Sequence, residues 1–314
     1  MRGVFRIARG SHTEITVIVV EIREGSALGR GECRPYGRYG ETAEGVIGAI
    51  EAVIPRLAAG LDRDELAHHL APGAARNAID CALWDLAAKR NHQPVWMLAG
   101  LPAPQPLTTA FTLSVDTPAN LAQTARIEAW RPFLKIKLDG NRDLERLIAV
   151  RTHAPRSRLI VDINEAWSRA DYETIVPELA RLGVDLLEQP FAAGNDHWLA
   201  ALPRPVPVCA DESCHDGEDL AGLKGRYDAV NIKLDKAGGL TEALRMKTLA
   251  EELGFSVMVG CMVATSLAMA PAFFVAQGAA YTDLDGPLLL AKDRAPGLRF
   301  EGSRILPPDH ELWG

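Results

Sequence analysis

The sequence lacks the features of secreted, membrane-inserted and nucleic-acid-binding proteins. No run of about 18 apolar residues is free of charge, and the amino terminus, Met-Arg-Gly-Val-Phe-Arg, has no apolar signal core. The five cysteines are scattered and include no Cys-x-x-Cys pair, which is typical of reduced thiols in the cytoplasm. With a net charge of -7 and no basic stripe, the chain offers nothing that attracts nucleic acid or an anionic membrane. We therefore expect a cytoplasmic protein with neither kind of partner.

The composition that is present is that of an ordinary globular protein. A chain of 314 residues with 47% hydrophobic and 24% charged residues can bury a sizeable core in one barrel-sized domain or in two domains. Residues 3–33 contain β-branched runs typical of antiparallel strands, and residues 42–98 have helical periodicity. Between them, the segment Arg34–Thr42, which combines a proline, polar groups and two glycines, predicts a loop that either contacts a ligand or is a plain connection. A cluster of prolines at 102–106 marks a domain boundary.

Beyond residue 101, eight short β-rich runs alternate with helical stretches. The runs are Thr108–Ser114, Leu134–Leu138, Leu159–Ile163, Val184–Glu188, Val206–Ala210, Ala229–Leu234, Ser256–Gly260 and Tyr281–Leu284. Equivalent positions near their ends are Lys137, Asp162, Glu188, Asp211, Lys233 and Gly260, and subtraction gives steps of 25, 26, 23, 22 and 27 residues. A repeat of about 25 residues is the length of one βα unit of a TIM-type barrel.

These patterns predict the fold class and the domain organisation. We expect an α/β protein in which residues 101–287 form a TIM-type (β/α)7β barrel behind an α+β capping domain of residues 1–100. The periodicity fades after Leu288, and we expect the tail, 288–314, to pack back on the capping domain.

Two lysines lie on one side of the run Leu134–Leu138. Because side chains alternate along a strand, Lys135 and Lys137 share a face, and the apolar residues take the other. Two neighbouring cations on a face that should be core are costly. The pentapeptide alone is equally consistent with a surface strand that has a solvated basic edge.

Three carboxylates end the next three runs of the repeat. Asp162, Glu188 and Asp211 each follow apolar residues, at the carboxyl ends of strands where barrel enzymes place their active sites. Three carboxylates at one barrel mouth repel one another unless a cation lies between them. Because all the donors are oxygens, we expect Mg²⁺, or Mn²⁺, rather than Zn²⁺. The alternative is that these residues cap helices or pair with lysines.

Lys137 and Lys233 flank the expected metal site along the order of strands. A substrate bound there lies between two amines, and Lys135 should disfavour the ammonium form of Lys137 by charge repulsion. This arrangement suits removal of a proton α to a carboxylate, with stabilisation of the charge that develops on oxygen. Bases on both faces of one carbon permit inversion, which is racemisation or epimerisation.

The order Lys-x-Lys, Asp, Glu, Asp, Lys behind an α+β domain resembles the enolase superfamily, and within it the muconate-lactonizing subgroup. More narrowly, the chain resembles the L-Ala-D/L-Glu dipeptide epimerases. The similar stretches are Gly-Ala-Ala-Arg-Asn-Ala-Ile-Asp at 73–80, Ala-Asp-Glu-Ser-Cys-His at 210–215, and Asn-Ile-Lys-Leu-Asp-Lys-Ala-Gly-Gly-Leu-Thr-Glu-Ala at 231–243. The resemblance covers nearly the whole chain.

The resemblance implies further site residues. In the dipeptide epimerases an Asp-x-Asp on the last barrel strand holds the free ammonium of the substrate, and Asp283 and Asp285 match it; a pair of carboxylates suits a primary ammonium, although two such residues are also a common turn signal. The resemblance also implies that Arg9 binds the side-chain carboxylate of a C-terminal glutamate. The remaining pocket positions that it implies are Thr112, Cys261 and Val263.

Two positions depart from the family pattern. Ile163 stands where a small residue is common, and Met262-Val263-Ala264 lacks an acidic residue that some members carry. Both departures could change the shape of the pocket and the dipeptide that fits, but neither involves an expected metal ligand or base.

Together with the site residues, the resemblance implies an isomerase, a Mg²⁺-dependent dipeptide epimerase. It inverts the α-carbon of the C-terminal residue by two-base 1,1-proton transfer through an enediolate, with Lys137 and Lys233 as bases. The resemblance implies a setting in murein peptide metabolism, and a homo-oligomer is possible. The alternatives keep the site but change the reaction to o-succinylbenzoate synthesis, N-acylamino-acid racemisation or cycloisomerisation. A Schiff-base aldolase and a non-enzymatic binding protein on a barrel scaffold are further alternatives.

Overall fold

The structure is a computed structural model that describes residues 1–314 and contains fifteen strands and twelve α-helices. The strands are β1 (Phe5–Ile7), β2 (Gly10–His12), β3 (Ile18–Glu24), β4 (Ala27–Cys33), β5 (Leu107–Thr108), β6 (Phe111–Leu113), β7 (Phe133–Lys137), β8 (Arg158–Asp162), β9 (Leu186–Glu188), β10 (Val208–Ala210), β11 (Ala229–Ile232), β12 (Ser256–Val259), β13 (Tyr281–Thr282), β14 (Phe300–Glu301) and β15 (Arg304–Ile305). The helices are α1 (Ala43–Ala58), α2 (Arg63–Leu66), α3 (Ala74–Asn91), α4 (Val95–Leu98), α5 (Pro118–Glu128), α6 (Asp143–His153), α7 (Arg169–Arg181), α8 (Leu220–Leu223), α9 (Leu234–Ala237), α10 (Leu240–Glu252), α11 (Ser266–Val275) and α12 (Gly286–Leu289). None of the helices combines the length and apolarity needed to cross a membrane.

Strands β6 to β13 form a parallel sheet in sequential order, and the sheet closes on itself. The closing hydrogen bond runs from the Ala110 backbone N–H to the Thr282 carbonyl oxygen (2.9 Å), so the first and last strands are neighbours. Each of the eight predicted runs overlaps one of these strands. The predicted TIM-type barrel is therefore confirmed.

Alternation along the strands divides the barrel interior into an apolar bottom and a charged top. The bottom is a cluster of seven buried side chains: Ala110, Phe133, Ile160, Leu186, Cys209, Ala229 and Met258. Two residues further along their strands, on the same face, stand Lys135, Asp162 and Glu188. The opposite strand faces belong to the main hydrophobic core of 57 residues. In each of the strands β7, β8 and β9, an apolar residue inside the barrel is thus followed by a charged one at the strand end, so that the charged groups meet at one mouth.

The unit before the barrel is a β-hairpin covered by a long helix. Strands β3 and β4 pair antiparallel, and α3 lies so close to β4 that a methyl group at Gly31 would come within 2.0 Å of the Ala78 carbonyl oxygen. Helix α3 also contacts the barrel, where Asn77 Nδ2 donates to Asp235 (2.8 Å) and the Thr241 backbone N–H donates to Asp80 (3.0 Å). The same helix therefore holds the hairpin and the barrel together.

The end of the chain contacts both parts of the molecule. The indole N–H of Trp313 donates to the carbonyl oxygens of Arg30 (2.9 Å) and Cys81 (3.2 Å). Earlier in the tail, β15 pairs with β5, next to the barrel. The limits of the two domains, at residues 100 and 287, stay a prediction.

Asp235, in α9, is a buried carboxyl group at the contact between the hairpin unit and the barrel. Its Oδ1 accepts hydrogen bonds from the Arg34 backbone N–H (3.1 Å) and from Asn77 Nδ2 (2.8 Å). Burial raises the pKa of Asp235 to about 7. The folded protein therefore binds this proton more tightly than the unfolded chain does.

We expect Asp235→Asn to stabilise the protein at pH 8 much more than at pH 5. A raised carboxyl pKa costs stability as the pH rises from the unfolded value toward the folded one, and linkage gives a loss of about 2–3 kcal/mol between pH 5 and pH 8. An amide does not titrate, so the variant avoids this loss. The free energy of unfolding in urea, measured for both proteins at both pH values, tests the expectation, and a difference that is the same at both would contradict it.

Candidate active site

Neighbouring strands place the three carboxylates side by side at the barrel mouth. In the strand register Lys137 is opposite Asp162, and Asp162 is opposite Glu188. Asp211 directly follows β10, the next strand along. One oxygen from each carboxylate lies within 4.8 Å of the others, and all three residues are buried. The structure therefore brings together the three residues that the repeat singled out.

Lys135 is enclosed by carboxylates inside the barrel. Its Nζ lies 2.7 Å from Glu188 Oε2, 3.0 Å from Asp162 Oδ2 and 2.8 Å from Asp283 Oδ2, and the residue is 1% exposed. A solvated basic edge is thereby excluded. Burial opposes the charged form of Lys135, but the three carboxylates outweigh it and raise its pKa well above the usual value. These carboxylates therefore favour the charged form of Lys135, which makes it a poor base.

Lys137 and Lys233 lie on either side of the carboxylate group. Lys137 Nζ is 2.5 Å from Asp162 Oδ2, and Lys233 Nζ is 2.6 Å from Asp211 Oδ2. Asp162 Oδ2 also contacts Lys135, so the expected repulsion between the two lysines of β7 is offset by a shared carboxylate. Burial disfavours charge on Lys233, but Asp211 and Glu188 raise its pKa well above the usual value.

The carboxylates differ in how firmly they are held as anions. Burial would raise the pKa of Asp162, but Lys137 and Lys135 bring it well below the usual value. Lys233 and Lys236 overcome burial in the same way at Asp211. At Glu188, burial and then the charge of Asp162 raise the pKa to about 7. Of the three carboxylates, Glu188 is therefore the one whose burial is least compensated by the neighbouring lysines.

The donor set fits a hard divalent cation. The three carboxylates are the only donors in the group, with no histidine or cysteine among them. Glu188 Oε2 is near Lys135 but has no aligned hydrogen bond, so a buried anionic oxygen is left for another cation. Carboxylates at this spacing are ligands suited to Mg²⁺ or Mn²⁺. Asp162, Glu188 and Asp211 would hold the ion.

We expect Glu188→Gln to weaken Mg²⁺ binding by roughly 10- to 100-fold, because the amide keeps an oxygen donor but removes one of three negative charges. Calorimetric titration of the metal-free protein with Mg²⁺ measures the affinity directly. Asp235→Asn is the matched control, since it neutralises a buried carboxyl group outside the trio. Equal affinities of Glu188→Gln and the control would exclude the proposed ligand set.

Polar residues that the sequence pattern did not reveal hold these carboxylates in place. Asn231 Nδ2 donates to Glu188 Oε1 (2.8 Å) from inside the barrel, and Gly260 is required beside it because a methyl group there would lie 2.7 Å from Asn231 Oδ1. Gln189 Oε1 accepts the Asp211 backbone N–H (2.8 Å). Lys236 Nζ donates to Asp211 Oδ1 (2.7 Å) and to two carbonyl oxygens.

Asp283 and Asp285 lie at the end of β13, beside Lys135. Asp283 Oδ2 accepts from Lys135, whereas its Oδ1 is buried without a hydrogen-bond donor. Asp285 Oδ2 accepts the backbone N–H of Thr112 (2.6 Å), the residue in β6 that the resemblance placed in the pocket. Burial and then Asp283 raise the pKa of Asp285 to about 7. The pair thus has acceptor capacity and negative charge that another cation would satisfy.

A cavity opens above the two lysines, between the barrel mouth and the amino-terminal unit. Its wall includes Lys137, Lys233, Cys261 and Val263. Ile163 is not part of that wall, because it lies fully buried in the main core. Of the two positions that depart from the family pattern, Ile163 therefore does not border the cavity, whereas the segment with Met262 and Val263 does.

Arg9 enters the same cavity from the loop between β1 and β2. Its Nη1 lies 2.7 Å from Glu212 Oε1 and 3.1 Å from Glu165 Oε2, and its Nη2 donates to the Tyr36 hydroxyl oxygen (3.2 Å). The guanidinium is thus already paired with two carboxylates. Its expected contact with a substrate carboxylate stays a prediction.

The sequence matches two family models. "Mandelate racemase / muconate lactonizing enzyme, N-terminal domain" covers residues 1–100, and "Enolase C-terminal domain-like" covers residues 119–311. Among similar curated proteins, the L-Ala-D/L-Glu epimerase of Escherichia coli (strain K12) is 48% identical over 94% of this chain and 93% of that protein. The N-acetyl-D-glutamate racemase of Pseudoalteromonas sp is 43% identical over 95% of each chain.

Several similar solved structures contain ligands. An enolase family member from Agrobacterium tumefaciens with homology to dipeptide epimerases, which has bound sodium and L-Ala-L-Glu, is 55% identical with a TM-score of 0.98 over 99% of this chain and 96% of that one. The dipeptide epimerase from Methylococcus capsulatus, complexed with Mg and L-Arg-D-Lys, is 34% identical with a TM-score of 0.88 over 98% and 94%.

Proposed function

The chain belongs to the mandelate racemase / muconate lactonizing enzyme family of the enolase superfamily, and from this membership we propose that it is a metal-dependent dipeptide epimerase. As an isomerase it inverts the α-carbon of the C-terminal residue of dipeptides of the L-Ala-D/L-Glu type. The observation that carries the proposal is the position of two lysines, Lys137 and Lys233, on either side of one buried carboxylate trio. The resemblance stated from the sequence is confirmed.

Proton transfer is the step that the side chains of the site suit. A bound magnesium ion supplies positive charge to the substrate carboxylate and makes the adjacent α-proton more acidic. One lysine then takes this proton as a neutral amine, and the lysine on the opposite face returns a proton to the planar carbon. Lys135 remains an ammonium and stabilises the negative charge that develops.

The second candidate function is N-acylamino-acid racemisation, which the similarity to the N-acetyl-D-glutamate racemase favours. Its substrates lack the free ammonium that would occupy the buried oxygen of Asp283. Incubation in ²H₂O with L-Ala-L-Glu and, separately, with N-acetyl-L-glutamate separates the two functions, because NMR follows loss of the α-proton signal. Faster exchange in the dipeptide supports the proposal, and exchange confined to the acyl amino acid supports the second candidate. No exchange in either would favour the synthase and cycloisomerase chemistries of the same subgroup.

The setting of the reaction is also part of the proposal. All five cysteines are free thiols, which suits the reducing cytoplasm. A role in murein peptide metabolism rests on the family resemblance alone, and both this role and assembly into a homo-oligomer stay predictions.

A further inference from the structure

Arg34 lies in the wall of the cavity that contains Lys137 and Lys233. The residue directly follows β4, and its backbone N–H donates to Asp235 (3.1 Å), which fixes it against the turn after Lys233. Arg34 is 7% exposed, and its guanidinium carbon lies 5.6 Å from the centre of the Tyr36 ring. The amino-terminal unit therefore presents a buried cation to the site.

The Arg34 guanidinium is the cavity cation that lacks a counterion. It forms no ion pair, and its one hydrogen bond is a long contact from Nη1 to the Val263 carbonyl oxygen (3.4 Å). By contrast, Lys137, Lys233 and Arg9 have carboxylate oxygens at 2.5, 2.6 and 2.7 Å. His12, also in the wall, has its pKa lowered by burial and by Arg34, so that it is mainly neutral at neutral pH. The open positive charge of the cavity is thus concentrated at one residue.

A buried guanidinium without an anion is unfavourable, and a ligand carboxylate removes that cost through two parallel hydrogen bonds. We propose that Arg34 binds the side-chain carboxylate of an acidic C-terminal residue and so sets the preference for glutamate. This inference rests on the proposed function. In that function the α-carboxylate of the dipeptide binds at the metal site, the α-carbon lies between the two lysines, and the ammonium binds to the Asp283–Asp285 pair. The substrate side chain is the group left for Arg34. Arg9, paired with Glu165 and Glu212, remains in the cavity wall.

The test compares L-Ala-L-Glu with L-Ala-L-Gln, which has the same shape without the charge. We expect the wild-type enzyme to favour the glutamate dipeptide by roughly 100-fold in kcat/KM, from rates of α-proton exchange in ²H₂O. Arg34→Gln is expected to bring this ratio close to one, mainly through a higher KM for L-Ala-L-Glu, while exchange in L-Ala-L-Gln stays within about threefold of wild type. Arg34→Lys, which keeps the charge but not the planar fork, is expected to retain part of the preference.

Two further variants make the test specific. Arg38→Gln removes another arginine of the same loop, one that is partly exposed and paired with Glu165 at 2.7 Å, and is expected to leave the Glu/Gln ratio unchanged. The resemblance implies the same carboxylate contact for Arg9, so Arg9→Gln separates the two assignments: the Glu/Gln preference remains in this variant if Arg34 is the residue that binds the carboxylate. The inference is overturned if Arg34→Gln keeps the preference, or if Arg9→Gln is the variant that abolishes it. Should Arg34→Gln not fold, which would abolish exchange in both dipeptides, a full preference in Arg34→Lys overturns the inference and a reduced one supports it.

The proposed function and this inference fail in different ways. A wild-type enzyme that exchanges both dipeptides equally well overturns the role of Arg34 and leaves dipeptide epimerisation standing. A wild-type enzyme that exchanges neither, but exchanges N-acetyl-L-glutamate, overturns dipeptide epimerisation itself.

Discussion

Lys137→Ala and Lys233→Ala are each expected to lower the rate of epimerisation by roughly 10²- to 10⁴-fold, the range that positioned acid–base groups contribute. Inversion requires removal of the α-proton on one face and its return on the other, so neither lysine can replace its partner. The loss is expected in kcat, because the carboxylates that bind the substrate through the metal remain in both variants.

The two variants are also expected to differ in which enantiomer still exchanges its proton. A single remaining lysine can remove and return the proton on its own face, so one variant exchanges only L-Ala-L-Glu with ²H₂O and the other only L-Ala-D-Glu. NMR of both dipeptides with each variant measures this pattern, and Lys224→Ala, an exposed lysine away from the site, is the control. Near-normal epimerisation by either variant would rule out the two-base scheme.

The barrel and its charged mouth could be predicted because each βα unit repeats the same pattern. A strand of a parallel barrel must be apolar where it packs, so a charge at its carboxyl end, such as Asp162 or Glu188, stands out and recurs at a near-constant step. Alternation also predicted that Lys135 and Lys137 share a face, and the structure places both inside the barrel.

The groups that support the mouth could not be predicted in the same way. Asn231, in β11, reaches Glu188 across the barrel, and its direction depends on strand tilt and closure rather than on local pattern. Arg34 is one of several polar residues in the loop Arg34–Thr42, and only the docking of that loop on the barrel shows that its charge is unpaired. The position of Lys236 could have been predicted. It follows Lys233 by three residues in a helical turn, and this spacing brings two side chains to one face.

Lys135 has a different environment in the structure from the one that its strand predicts. Along the strand, the only charge close to Lys135 is that of Lys137, and the two repel each other. In the folded protein Lys135 is surrounded by Asp162, Glu188 and Asp283, and its own pKa is raised. Pairwise reasoning along one strand misses these partners because they come from three other strands.

The ammonium of the dipeptide is the group that most clearly separates the two candidate functions, and Asp283 is the residue that would bind it. The Oδ1 of Asp283 is buried and has no donor, which is costly unless a ligand supplies one. Asp285, two residues further along the same segment, adds a second carboxyl group whose pKa of about 7 reflects burial and the charge of Asp283. A substrate cation would favour the ionised form of Asp285. The unsatisfied oxygen therefore argues for a substrate with a free amino group.

Asp283→Asn is expected to lower kcat/KM for L-Ala-L-Glu by about 100-fold, since a buried charge-assisted hydrogen bond contributes roughly 2–3 kcal/mol. The acetylated substrate N-acetyl-L-Ala-L-Glu has no ammonium, so the substitution should change its exchange rate far less. Asp283→Asn also weakens the contact with Lys135, and this effect is the same for both substrates, so the comparison between them corrects for it. Rates of α-proton exchange for both substrates, with wild type and variant, give the discrimination directly. An equal loss on the two substrates would mean that Asp283 acts through Lys135 alone. The preference for a free amino terminus would then have to come from residues other than Asp283.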